Sequence, residues 1–155
     1  HLAHRQMHGW YAFDEGGPSG PGGWRFARTT WDSGVAMPHG WAVAEMFLLL
    51  RDCLAFEDGN RLVLLAGVPE GWFKASARWG FTDLPTWFGK CSLVVEPGAA
   101  GAEVIVSGEA APPEGFWLRL PTQWEVRIGP DGKPAQRTSS GDVHIPATGG
   151  KVQIR

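Results

Sequence analysis

PHGWAVAEMFLLLRDCLAFEDGN occupies residues 38–60 and governs how the rest of the chain is read. Pro38 suits a first helical turn, where its missing N–H costs nothing. From Trp41 to Phe56 only Glu45, Arg51 and Asp52 interrupt the apolar residues, and Asp58-Gly59-Asn60 is a stop signal. The pattern predicts a helix over 38–57, buried on most of its circumference rather than amphipathic. Its most apolar piece, residues 46–50, is far too short to span a bilayer. A helix of this kind needs other helices around it, and this chain supplies at most one more, at its N-terminus. The expectation is that further helical material lies upstream of His1.

After Asn60 the pattern changes. Residues 61–68, 77–82, 92–96, 103–107, 116–120 and 125–128 are short and rich in β-branched and aromatic residues. Turn signals separate them: Pro97-Gly98, Pro112-Pro113-Glu114-Gly115 and Pro130-Asp131-Gly132. Weaker runs follow at 143–145 and 151–154. Short strands without intervening helices predict an antiparallel β-sandwich over 61–155, following a helical segment over 1–60.

Upstream of Pro38 the sequence reads Thr29-Thr30-Trp31-Asp32, then Ser33-Gly34-Val35-Ala36-Met37. Asp32 and His39 stand seven residues apart, and Trp31 and Trp41 flank them. An indole offers a flat apolar face for the C–H face of a sugar ring, while a carboxylate and an imidazole hydrogen-bond hydroxyls or move protons. The plain alternative is that the indoles fill core and the polar pair satisfies a loop or helix end. Glu45, one turn after Trp41, is either a substrate contact or the partner of an arginine, because a buried unpaired carboxylate is costly.

The run from about Arg28 to Phe73 resembles the last barrel helix and exit of the six-hairpin, (α/α)6-toroid glycosidases, most closely the rhamnosidase-like branch. The resemblance rests on Thr29-Thr30-Trp31-Asp32, His39-Gly40-Trp41 and Gly67-Val68-Pro69-Glu70-Gly71-Trp72, with Pro85-Thr86-Trp87-Phe88-Gly89 beyond. It implies an α+β chain: the closing helix of a toroid followed by a C-terminal antiparallel β-sandwich. It also implies carboxylate acid/base hydrolysis of glycosidic bonds. Asp32 would be the general base, His39 a sugar-hydroxyl contact, and Trp31 or Trp41 a subsite wall. The general acid would come from the remainder of the enzyme N-terminal to His1, so the 155 residues alone would be inactive.

Composition narrows the rest. With 43% apolar and 19% charged residues the chain can fold, and Gly 22 with Pro 12 makes it turn-rich. Four basic and seven acidic residues precede Arg61, and ten and nine follow, so no basic surface for nucleic acid exists. The Gly-rich loop over 13–23 lacks the Gly-Lys-Ser/Thr ending of a phosphate loop. Cys53 and Cys91 form no metal or disulfide pattern. His1, His4 and His8 share a helical face but lack a fourth ligand, and no serine sits in a nucleophile elbow. No metal or cofactor is expected, and the partner is carbohydrate.

Two rivals remain. A non-catalytic carbohydrate-binding module requires two or three coplanar exposed indoles on one sheet face. A purely structural cap requires that no indole of the sheets be exposed. For the hydrolase, Asp32→Asn is expected to abolish turnover in the full-length enzyme while leaving its melting temperature unchanged. Retained turnover rejects the assignment of Asp32.

Overall fold

The computed structural model describes residues 40–74, 76–99, 101–129 and 131–154. The chain divides into two units, His1–Leu50 and Arg51–Arg155. In the first, the described residues belong to helix α1 (Gly40–Leu54), whose last turn falls in the second unit. Val43, Phe47, Leu48, Leu49 and Leu50 of α1 are exposed, Phe47 by 65%.

The second unit holds two sheets. One has β1 (Ala55–Asp58), β2 (Arg61–Leu64), β6 (Phe116–Leu118) and β9 (Val143–Ile145), in that spatial order. The other runs β3 (Trp79–Thr86), β4 (Gly89–Gly98), β5 (Gly101–Gly108), β10 (Gly150–Ile154), β7 (Val126–Ile128) and β8 (Lys133–Pro134). A short helix α2 (Glu70–Phe73) precedes β3.

Period-two alternation builds the core, because successive strand side chains point to opposite faces. Cys91, Leu93 and Val95 of β4 face inward, as do Ala102, Val104 and Val106 of β5 and Val152 and Ile154 of β10. Leu62, Leu64, Phe116, Leu118, Val143 and Ile145 of the four-stranded sheet join the same cluster. Each large side chain buried there contributes roughly 1.5–3 kcal/mol. Register keeps the sides apart: Val95 pairs Val104, and Val104 pairs Val152. In β3 the register shifts between Phe81 and Leu84, and the Asp83 N–H donates to Ser92 Oγ at 2.9 Å. Gly80 lets β3 approach β4 closely, since a Cβ there would sit 2.0 Å from the Leu93 carbonyl oxygen.

This architecture overturns the expected fold class. The described residues form a mostly β chain with two short helices, and the closing helix of a toroid followed by an antiparallel sandwich is not supported. Three departures have identifiable causes. The expected helix over 38–57 stops at Leu54, because Ala55, Phe56 and Glu57 pair with Leu64, Val63 and Leu62 in a hairpin turned at Gly59, φ +60°. The apolar circumference of α1 is exposed rather than buried, since apolar composition does not by itself supply a covering partner. The sheets are also not antiparallel throughout. β6 returns beside β2 in parallel, Leu62 opposite Phe116, after the chain has passed through three strands of the other sheet.

One guanidinium holds the irregular end of the unit together. Arg137 Nη1 donates to the Leu120 and Gly141 carbonyls at 3.3 and 2.6 Å, and Nη2 to those of Pro121 and Trp124 at 3.0 and 2.9 Å. These carbonyls lie between β6 and β7 and before β9, where no ladder supplies donors. Arg137→Ala is expected to lower unfolding free energy by about 2–4 kcal/mol, and Arg137→Lys to recover little of it, because an ammonium cannot reach four acceptors in a fork. Denaturant unfolding checks both. Full recovery by Lys would mean that charge, not fork geometry, matters.

Candidate functional site

Trp31, Asp32 and His39 lie outside the described residues. Trp41 and Glu45 stand on α1, both exposed. Glu45, read from the sequence as enclosed in apolar helix, therefore does not meet the burial expected of it.

A more constrained constellation lies wholly within the second unit, where the last turn of α1, β1 and the β3–β4 turn meet. Arg51 Nη1 and Nη2 donate to Glu57 Oε2 and Oε1 at 2.7 and 2.6 Å. The Glu57 side chain is 5% exposed and that of Arg51 16%. Arg51 also donates to the Pro85 carbonyl at 3.2 Å, and the Trp87 backbone N–H donates to Glu57 Oε1 at 3.0 Å. Inside the turn, Thr86 Oγ1 donates to the Gly89 carbonyl at 2.6 Å and accepts from the Phe88 N–H at 3.1 Å. Four polar contacts thus fix residues 85–89, yet the Trp87 side chain they support is 80% exposed. Asp52, half-exposed, accepts from Arg51 at 3.2 Å and extends the polar chain toward solvent.

The electrostatics follow from this packing. Burial works to raise the pKa of Glu57, but the hydrogen bonds from Arg51 and the Trp87 N–H prevail and hold it below the ordinary 4.5. The hydrogen bond to Glu57 in turn raises the pKa of Arg51. Both groups are ionised at neutral pH, and the pair braces the turn.

The other described indoles of this unit are engaged differently. Trp72 and Trp79 meet edge to face at 5.5 Å and 84°, with Trp79 Nε1 donating to the Trp72 carbonyl. Trp124 meets Phe73 at 5.0 Å and 77°. Trp117 has the Arg61 guanidinium 5.5 Å from its ring and His144 at 5.1 Å. The aromatic residues between 72 and 88 fall into two groups. Phe73, Trp79, Phe81 and Phe88 pack on the core, whereas Trp72 is half-exposed and Trp87 turns outward. Sequence reading missed the Arg51–Glu57 pair because six residues separate the partners, a spacing with no helical or strand signature. It gave Trp87 no role beyond its place in Pro85-Thr86-Trp87-Phe88-Gly89. The available signal was the turn sequence Thr86-Trp87-Phe88-Gly89.

Comparison with protein-family models, curated proteins and solved structures yields no match.

Because the folded pKa of Glu57 is depressed, its contribution is complete above the unfolded value of 4.5 and is lost as pH falls through the folded value. Glu57→Gln is expected to cost about 3 kcal/mol at pH 7, leaving a nearly buried guanidinium without its counter-ion. The gap to wild type should narrow below pH ~4. Urea unfolding across pH 3–7 measures it, and a pH-independent gap would refute the assigned charge state.

Proposed function

We propose that this chain serves carbohydrate recognition within a carbohydrate-active protein, with Trp87 as its exposed sugar-stacking residue. The observation that carries this reading is an indole 80% exposed on a turn braced by the buried Arg51–Glu57 pair. A turn whose backbone is already braced loses little conformational freedom on binding, so more of the stacking energy of its indole appears as affinity. A sugar presents an apolar C–H face to such a ring and hydroxyls to polar groups around it.

The geometry counts against both rivals in their simple forms. A purely structural cap leaves no reason for an indole of the sheets to face solvent. Trp72 and Trp79, which are in contact, are near perpendicular and form no flat platform with each other. The reading adopted is a binding mode anchored on Trp87. The hydrolase reading rests on Thr29-Thr30-Trp31-Asp32 and His39-Gly40-Trp41 in the sequence, and its test is the Asp32→Asn variant.

Trp87→Ala is expected to weaken oligosaccharide binding about tenfold or more, some 1.4 kcal/mol, with no loss of melting temperature because the side chain is not packed. Titration calorimetry and thermal melting on the full chain separate the two. Unchanged affinity for a saccharide the wild type binds would remove Trp87 from the site.

A further inference from the structure

The outward face of the six-stranded sheet carries a row of polar side chains set by strand register. Glu96 of β4 is opposite Glu103 of β5, Glu103 is opposite Gln153 of β10, and Gln153 is opposite Arg127 of β7. Arg78, immediately before β3, extends the row through its ion pair with Glu96 at 3.4 Å. The inward neighbours Val95, Ala102, Val104, Val126, Val152 and Ile154 are core, so the alternation that builds the core also sets this row outward. At about 4.8 Å between strands, the row runs roughly 19 Å from end to end.

Three shallow clefts open along this face. One of about 330 Å³ lies beside Glu96, Glu103 and Gln153. A second, about 570 Å³, is lined by Glu103, Gln153, Lys151, Ile128 and Pro146. A third, about 340 Å³, lies at Arg78, Gly80, Thr82 and Val94, where Gly80 places no side chain in the opening. Glu103 and Gln153 border two of the three.

We infer that this face is an oligosaccharide-binding surface distinct from Trp87, taking a neutral chain laid along the row from Arg78 to Arg127. The inference rests on the reading of the protein as a carbohydrate binder. Four features support it. Two of the ion pairs are long, Arg78–Glu96 at 3.4 Å and Lys151–Glu103 at 3.3 Å, so ligand hydroxyls displace them at little cost, while Arg127 stays held by Glu125 at 2.6 Å. Acceptors at Glu96 and Glu103 stand beside an amide and cations, which suits hydroxyls that both donate and accept. Val94 and Ile105, opposite one another in the next row, offer an apolar strip for the C–H faces of the sugar. Two carboxylates set against the cations of Arg78, Lys151 and Arg127 leave the row without a strong charge of either sign, which suits a neutral chain.

The test uses the full chain with cellohexaose, xylohexaose, mannohexaose, maltohexaose and hexagalacturonate as probes, followed by titration calorimetry and amide chemical-shift mapping. The expected result is binding of at least one neutral hexasaccharide, with shifts along Arg78, Glu96, Glu103, Gln153 and Arg127. Affinity should fall at least tenfold in Glu103→Gln and in Gln153→Ala. Neutral binding with shifts confined to residues 85–89, insensitive to both variants, overturns this inference and leaves the Trp87 reading standing. Binding of hexagalacturonate alone overturns the assignment to neutral sugars. Absence of binding by every probe overturns both readings.

Discussion

Burial of alternate strand side chains in a core shared by both sheets is the constraint on which the second unit depends. Cys91, Leu93 and Val95 meet Val104, Val106, Val152 and Ile154 across the six-stranded sheet, and Leu62, Leu64, Phe116, Leu118, Val143 and Ile145 close over them from the other. Once those side chains point inward, a one-residue slip in any strand would place charged groups in apolar surroundings. The register is therefore fixed, and with it the identity of every outward residue. The row from Arg78 to Arg127 is the other face of the same constraint.

A second, polar constraint acts where the two sheets meet at α1. The nearly buried fork between Arg51 and Glu57 joins the last turn of a helix, the first strand of one sheet and a turn of the other. A buried pair of this kind adds little net stability over an apolar equivalent, but breaking it leaves an uncompensated charge. Its structural consequence is positional. It fixes the Trp87 backbone in one place while leaving the indole in solvent, and the proposed sugar contact depends on that separation.

Much of the strand content was legible in the sequence, because alternation and turn residues are local properties. The runs at 92–96, 103–107, 143–145 and 151–154 all fall within β strands. What misled was the apolar tract over 38–57. Its composition describes a buried helix, yet composition does not name the covering partner, and Val43, Phe47, Leu48, Leu49 and Leu50 are exposed. Residues 55–57 read as helix because Ala55, Phe56 and Glu57 follow Leu54 without a break. Only the hairpin partner at residues 62–64 draws them into a strand. Of the site residues, Trp87 was visible as a turn tryptophan, but its exposure was not, since its neighbour Phe88 in the same turn packs on the core.

The sequence by itself determined the alternation of the strands, the turns between them and the lack of an apolar run long enough to span a bilayer. These depend on residues close together in the chain, where spacing alone sets geometry. Tertiary structure decided which strands are neighbours, that β2 and β6 run parallel, that Arg51 meets Glu57 and the Trp87 turn, and that Glu96, Glu103, Gln153 and Arg127 share one face. Those relations join residues up to about a third of the chain apart. No local periodicity encodes them, because they arise only when the two sheets bury their apolar sides together.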